Sequence, residues 1–159
     1  MRRLFDRTDG LGALANAAAA VALAAVVNVL IASLGLSGPD ESLRDPIFAP
    51  PGWFIGVVWV VLFALMGLAR WSAVRAGPAG RSRSVWALGL IVLCAGYPFY
   101  TAGFDLLPSV IGAVATLAAA VFVAWKLAPV SRGAALLITP VIVWTAFACV
   151  LTATQIAIN

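Results

Sequence analysis

The sequence predicts an all-α integral membrane protein, a bundle of five transmembrane helices. Its 159 residues are 64% hydrophobic and only 10% charged, whereas about 25% of the residues of a soluble domain are charged. The apolar residues gather in five stretches that contain no Lys, Arg, Asp or Glu, each close to the ~20 residues that cross a bilayer. This composition excludes a soluble enzyme, a disordered chain and a nucleic-acid-binding module. We expect one transmembrane domain over residues 1–159, surrounded by membrane lipid.

Short segments with Pro or Gly separate the five stretches, as expected where helices end. The first span is rich in Ala and precedes a segment with four prolines, and the second follows Gly52. The third lies between an Arg-rich segment and Asp105, the fourth follows Pro108, and the fifth follows Gly133. The predicted spans are Leu11–Leu36, Trp53–Ala69, Val85–Phe104, Ser109–Trp125 and Ala134–Ile158.

The basic residues predict how the chain is oriented. Nine of the ten Lys and Arg residues lie before the first span, between spans two and three, or between spans four and five. With five spans, these three segments share one side of the membrane. Because basic residues are enriched in cytoplasmic segments, we expect a cytoplasmic N-terminus and a C-terminus on the outer side.

The chain lacks the residues that most catalytic and metal sites use. It contains no His and two cysteines, Cys94 and Cys149, without metal-ligand spacing. We therefore predict no catalytic residues, no metal site and no obligatory cofactor. The spans also lack charged residues, which proton and ion relays normally require. An ion-coupled transporter is therefore the weakest of the functional hypotheses.

Two of the six tryptophans lie deep within predicted spans. Belts at the membrane surface account for the tryptophans near span ends, but Trp59 and Trp144 lie about 9 Å and about 15 Å from the ends of their helices by the helical rise. Trp59 shares a helix face with Phe63. One interpretation is an apolar ligand pocket near the outer side. The other is ordinary aromatic packing between helices, or contact with lipid.

Small residues recur at four-residue spacing in spans one and four. Such spacing lets helix backbones approach closely in lipid. It is compatible with packing inside the bundle or with the face of a homodimer. The pairs are Ala18 with Ala22, Ala20 with Ala24, and Gly112 with Thr116.

The segment from Asp45 to Ala69 resembles the characteristic motif of the tryptophan-rich sensory protein family. These proteins are also called translocator proteins, or peripheral-type benzodiazepine receptors. Phe63 stands where the family usually has Tyr. The matching residues of the first motif are Pro46, Pro50, Pro51, Trp53, Trp59, Leu62, Met66 and Ala69. A second match in the last span comprises Pro140, Trp144, Ala148 and Leu151.

The resemblance implies a five-helix membrane receptor or carrier, often dimeric, with a sensory or regulatory role. Family members bind porphyrins, haem or sterol-like lipids in a pocket closed by the first loop. By position in the motifs, the implied ligand-binding residues are Pro51, Trp53, Trp59, Phe63, Phe99, Trp144 and Ala148. Without His, the usual axial ligand of haem iron is missing. The expected ligand is therefore a metal-free porphyrin such as protoporphyrin IX, or a flat sterol- or carotenoid-like lipid.

Several family positions differ in this chain, which keeps an alternative open. Phe99 stands where span three of the family has Trp, and Thr152 replaces an Asn in the last span. These changes remove groups that would orient a polar ligand. The alternative function is a structural or assembly subunit of a larger membrane complex that kept the fold. Some bacterial relatives degrade porphyrin through pocket tryptophans, but we assign no enzymatic activity to this chain.

Overall fold

The computed structural model describes residues 2–35, 44–101 and 106–159. These residues are helical, without a strand, and five helices are long and apolar enough to cross a membrane. The predicted fold class is thereby confirmed. The helices are α1 (Arg2–Phe5), α2 (Gly10–Ser33), α3 (Gly52–Arg75), α4 (Pro78–Thr101), α5 (Leu106–Leu127) and α6 (Arg132–Ile158).

Local sequence explains where three of the helices begin. Asp9 caps α2, because its side-chain Oδ1 accepts a hydrogen bond of 3.0 Å from the Gly12 amide. Ser131 caps α6 in the same way, with its Oγ 3.1 Å from the Ala134 nitrogen. Pro51 precedes α3 in an extended conformation and makes no side-chain cap. Such caps satisfy amide groups that have no partner within the helix.

The helices α3 and α4, which contain the second and third predicted spans, extend well beyond those spans. Residues 70–84 lie between two predicted spans, but α3 continues to Arg75 and α4 begins at Pro78. Only Ala76 and Gly77 connect them, and Gly77 has the positive φ of 91° that favours glycine. Charge-free stretches mark the hydrocarbon region alone, whereas helices continue into the headgroup region, where long Arg side chains reach water.

Three other helix ends lie at different residues from the ends of the predicted spans. The helix of the first span ends at Ser33, and the helix of the third span is described to Thr101. The predicted ends at Leu36 and Phe104 lie outside the described residues. The last helix begins two residues earlier than predicted, at Arg132, because Ser131 caps it.

Helix α3 is the central element of the bundle. It packs against α2, α4 and α6, while α5 packs against α4 and α6. The bundle has two ends. Its N-terminal end holds α1, the α3–α4 connection and the α5–α6 connection, and its distal end holds the segment before α3 and the end of α6. The fully buried side chains include Met66, Ala69, Ala73, Leu90, Leu127, Ile138 and Val141.

Small residues allow α2 and α3 to approach closely. A Cβ at Gly67 would lie 2.4 Å from the Asn16 carbonyl oxygen, so this position has no room for a larger side chain. Ala20 and Ala24 are buried in the core cluster shared with α3 and α4, which is the packing expected of this pair inside the bundle. Ala18 and Ala22, in contrast, are exposed.

Candidate functional site

A cavity of about 310 Å³ lies between α2, α3 and α4 in the distal half of the bundle. Its volume is at the lower end of the range of about 300–1,000 Å³ found for small-molecule sites. The residues that line it are Ala24, Val27, Asn28, Gly52, Ile55, Gly56, Trp59, Phe63, Cys94, Ala95, Tyr97 and Pro98. We call this space the distal cavity.

Trp59 and Phe63 form the aromatic wall of the distal cavity. They are one helical turn apart on α3, and their ring centroids are 5.9 Å apart with a tilt of 47° between the planes. Phe63 is 4% exposed and holds the wall in place, whereas Trp59 is half-buried. Trp59 lies about 10 Å from the start of α3 by the helical rise. A flat apolar molecule could stack on this wall, because aromatic rings favour offset or tilted contacts of this kind.

A few polar groups stand at the otherwise apolar cavity. Asn28 brings a side-chain amide from α2, and Tyr97 brings a hydroxyl from α4 that donates to the Ser109 carbonyl over 3.3 Å. Pro98 lies within α4 and lines the same cavity. Because proline has no amide N–H, the Cys94 carbonyl has no helical donor four residues later. Orientation of a ligand by a small number of polar groups is typical of apolar sites.

The opposite face of α3 forms a second, larger surface with α6. This α3–α6 groove has a volume of about 710 Å³. Apolar residues of both helices line it, together with one polar residue, Thr139. Trp144 lies here and not in the distal cavity. Residues two positions apart on a helix point about 200° apart at 3.6 residues per turn. Trp59 and Phe63 therefore face α2 and α4, while Val57 and Val61 face α6.

A chain of aromatic rings connects α6 to the segment before α3. Phe48 contacts Phe147 edge-on, with ring centroids 6.2 Å apart, and Phe147 lies 5.5 Å from Trp144. Trp144 in turn lies 6.3 Å from Phe54, whose ring contacts Trp53 at 5.9 Å. Trp144 thus packs α6 against the start of α3, and Phe147 packs it against Phe48 in the segment before α3.

Hydrogen bonds at the end of α6 hold the same loop. The Asn159 Oδ1 accepts from the Arg44 amide at 2.8 Å, and its Nδ2 donates to the Arg44 carbonyl at 3.0 Å. The Gln155 Nε2 donates to the Asp45 carboxylate at 2.8 Å. The loop segment after residue 43 is therefore fixed to α6 by polar and aromatic contacts together.

The structure does not gather the seven predicted site residues around one cavity. Trp59 and Phe63 line the distal cavity, and Trp144 lines the α3–α6 groove. Trp53 and Phe99 are 72% and 41% exposed and line neither space. Pro51 is exposed at the start of α3, and Ala148 is half-buried on α6.

Sequence reasoning missed three residues that line the distal cavity. None of the three, Asn28, Cys94 and Tyr97, is among the predicted ligand-binding residues. The available signal was helical spacing, because Asn28 lies four residues after Ala24 and Cys94 four residues before Pro98. Among the described residues, no group of three or more His, Cys, Asp or Glu side chains could hold a metal ion.

These features define a five-helix membrane protein with an aromatic-walled cavity in one half of its bundle. Residues 17–157 match the sequence model of the TspO/MBR family. The chain therefore belongs to this family, as its Pro-Pro and Trp motifs indicate. It is 29% identical over 155 residues to the uncharacterized membrane protein YtaB of Bacillus subtilis (strain 168), an alignment that covers 88% of this chain and 96% of the relative.

Proposed function

We propose that this protein is a membrane receptor or carrier that binds a flat apolar molecule in the distal cavity and has a sensory or regulatory role. Its ligand is a porphyrin such as protoporphyrin IX, or a sterol- or carotenoid-like lipid of similar shape. The observation that carries the proposal is the Trp59–Phe63 wall, which offers an aromatic face inside an otherwise apolar space. Membership of a family of membrane receptors and transporters supports it.

The proposed ligand enters with one edge and stacks on Trp59. The cavity volume of about 310 Å³ accommodates part of a large ring system, and the exposed Asn28 marks the side where the cavity opens. Asn28 and Tyr97 supply the polar contacts that orient the bound edge. Because the chain has no His, a ligand without a metal is the simplest fit. Of the seven residues that the family motifs imply, we retain Trp59 and Phe63 as the direct contacts.

We further propose that the N-terminal end of the bundle faces the cytoplasm. Arg70, Arg75, Arg81 and Arg83 cluster at this end, close to the α3–α4 connection, and basic residues are enriched in cytoplasmic segments. The distal cavity then opens toward the outer leaflet. A homodimer is compatible with the exposed small residues Ala18 and Ala22, and chemical cross-linking in native membranes tests it.

Titration of purified protein with protoporphyrin IX tests the proposed binding site. The protein is kept in a neutral maltoside detergent, and the porphyrin absorbance band reports binding, so that removing a tryptophan does not remove the signal. Gly56 lines the cavity and a Cβ there meets no atom within 4 Å, so Gly56→Leu adds a side chain at the cavity wall without a clash at its Cβ. We expect affinity to fall by at least about tenfold. Trp59→Leu should weaken binding about 2–10-fold, through loss of one aromatic contact.

Two control variants make the result specific. Gly89→Leu introduces the same side chain at an open, exposed position of α4 outside the cavity, and Trp144→Leu alters the α3–α6 groove. Both should bind protoporphyrin IX as the natural chain does. If Trp144→Leu abolishes binding while Gly56→Leu does not, the ligand uses the groove and the proposed site is wrong.

A structural or assembly subunit remains the alternative function. The observation that favours it is the aromatic packing of α6 on its neighbours, in which Trp144 contacts Phe54 at the start of α3 and Phe147 contacts Phe48 in the segment before α3. Under this alternative, protoporphyrin IX does not bind saturably, and the protein purifies from native membrane in mild detergent together with stoichiometric partners. Saturable binding to a lone monomer or homodimer contradicts it.

A further inference from the structure

A second cavity lies at the N-terminal end of the bundle, separate from the proposed porphyrin site. It has a volume of about 450 Å³ and lies between α2, α3 and α4, beneath α1. Its lining divides into a polar part and an apolar part. The polar part contains Asp6, Asn16 and Arg70, with the Phe5 backbone, and the apolar part consists of Ala19, Ala20, Leu23, Gly67, Leu88, Ile91 and Val92.

Arg70 is the central group of the polar part. Its Nη1 donates to the Phe5 carbonyl at 3.0 Å and to the Asn16 side-chain oxygen. Asn16 is itself 4% exposed, and its Nδ2 donates to the Phe5 and Gly12 carbonyls. The guanidinium therefore sits in a fixed position on the cavity wall.

The Nε–Nη2 edge of the guanidinium makes only one long contact among the described residues. Its Nη2 contacts the Asp6 carboxylate at 3.4 Å, longer than the 2.7–3.2 Å of a good N–H···O hydrogen bond. Its Nε is closed to water and has no acceptor among the described residues. A buried unpaired donor on a charged group is unfavourable and calls for an explanation. The Nε–Nη2 edge of an arginine matches a carboxylate or phosphate in two-point contact.

The two parts of the cavity follow the axis of the membrane. Arg70 lies about 7.5 Å from the end of α3 by the helical rise, which is near headgroup depth. Leu23 lies about 10 Å deeper along α2 than Asn16 by the same rise. Val92 is 64% exposed and Leu88 41% exposed, so the apolar part opens sideways to lipid between α2 and α4.

We propose that this cavity binds an amphiphile with an anionic head group, a carboxylate or a phosphate, and takes up one of its apolar chains. The head group pairs with the Nε–Nη2 edge of Arg70, and the apolar chain lies along Leu23, Leu88 and Val92. Asp6 occupies the position of the head group when the site is empty. The amphiphile binds by displacing the Asp6 side chain, while the Phe5 carbonyl continues to hold Nη1.

Native mass spectrometry of the protein in a neutral maltoside detergent, titrated with laurate, tests the proposal. Arg70→Gln removes the cation and should weaken laurate binding by at least about tenfold, the loss expected for a charge-assisted hydrogen bond. Asp6→Asn removes the competing carboxylate and should strengthen binding several-fold. Ala19→Phe fills the cavity from an exposed position and should weaken binding as Arg70→Gln does, which keeps the test valid if Arg70→Gln fails to fold.

Matched controls separate this site from general attraction. Arg75→Gln removes the same charge from an exposed position at the same end, and Ala18→Phe adds the same ring one residue away from the cavity lining. Both should bind laurate normally, as should Trp59→Leu, since the porphyrin site is elsewhere. Methyl laurate, which lacks the charge, should not bind. Equal binding of methyl laurate and laurate, or unchanged laurate binding in Ala19→Phe, overturns the proposal.

Competition identifies the source of the head group. Lauryl phosphate should displace laurate, and inorganic phosphate alone should not, because the apolar chain contributes to binding. Displacement of laurate by phosphatidylglycerol indicates a bilayer lipid as the natural occupant. Resistance to phosphatidylglycerol, together with displacement by lauryl phosphate, indicates a free amphiphile. Failure of lauryl phosphate to displace laurate contradicts recognition of the anion by Arg70.

Discussion

Replacing Gly67 with Ala tests whether α2 and α3 must touch at their backbones. The added Cβ would lie 2.4 Å from the Asn16 carbonyl oxygen and 2.8 Å from the Ala17 Cα. Both are backbone atoms, which cannot rotate away. The helices would have to separate by at least about 0.6 Å to restore a 3.0 Å contact. A gap of this size forfeits about a quarter of the dispersion energy of each affected contact.

The expected destabilisation follows from this geometry. Overpacking a well-packed position costs about 1–3 kcal/mol, and the same separation would stretch the hydrogen bond between Arg70 and Asn16. We therefore expect Gly67→Ala to lower the free energy of unfolding by at least about 1–3 kcal/mol. Gly56→Ala is the matched control, because its Cβ meets no atom within 4 Å on the same helix. It should be neutral, or stabilising by about 0.5–1 kcal/mol through lower backbone entropy of the unfolded chain.

Unfolding by sodium dodecyl sulfate in mixed micelles, followed by circular dichroism, measures both variants. Gly67→Ala should unfold at a clearly lower mole fraction of the denaturing detergent than the natural chain. If Gly67→Ala and Gly56→Ala unfold at the same mole fraction, backbone contact between α2 and α3 does not determine the stability of the bundle, and the reasoning is refuted.

Two further predictions concern the ends of the bundle. Asn159→Ala removes both hydrogen bonds to the Arg44 backbone, so the Arg44 amide should exchange its hydrogen faster, as measured by hydrogen-exchange mass spectrometry. Ile158→Ala, at a neighbouring exposed position, should leave the exchange rate unchanged. Equal exchange rates in the two variants would contradict the role of Asn159. At the other end, the Arg7 side chain and the Gly12 amide both bond to the Asp9 carboxylate and lower its pKa from 3.8 to about 2. A lowered pKa in the folded state means that the contribution of Asp9 to capping α2 is fully present above pH 3.8 and is lost as the pH falls through about 2. Carbon NMR of the Asp9 carboxyl group should find the low pKa in the natural chain and a higher one in Arg7→Gln; the same pKa in both would contradict the pairing.

The aromatic residues illustrate how far the sequence alone could locate the site. Helical spacing correctly put Trp59 and Phe63 on one face of α3, and both line the distal cavity. Trp144 was expected near them because it lies deep in its span. Depth in the membrane does not determine which neighbouring helix a side chain faces. The direction in which Trp144 points depends on which helices are neighbours, and α6 packs on the opposite face of α3.

Arg70 illustrates a different limit. Its charge ended the predicted second span, since a span was taken as a stretch without charge. In the structure, α3 continues past it, and Arg70 packs against Asn16 of α2 and the Phe5 carbonyl. Its partners lie more than fifty positions away in the chain, so no local pattern indicates them.

The sequence by itself determined the five membrane-spanning helices, because a bilayer demands stretches of about 20 apolar residues and requires their backbone polar groups to bond within the helix. It also determined the family, through the motifs of α3 and α6. Only the tertiary structure decided which residues meet. It separated the distal cavity from the α3–α6 groove, brought Cys94 and Asn28 together with Trp59 around that cavity, and enclosed Arg70 beneath α1. The physical reason is that hydrophobicity fixes how deep a residue lies in the bilayer, whereas close packing at positions such as Gly67 fixes which helix faces which.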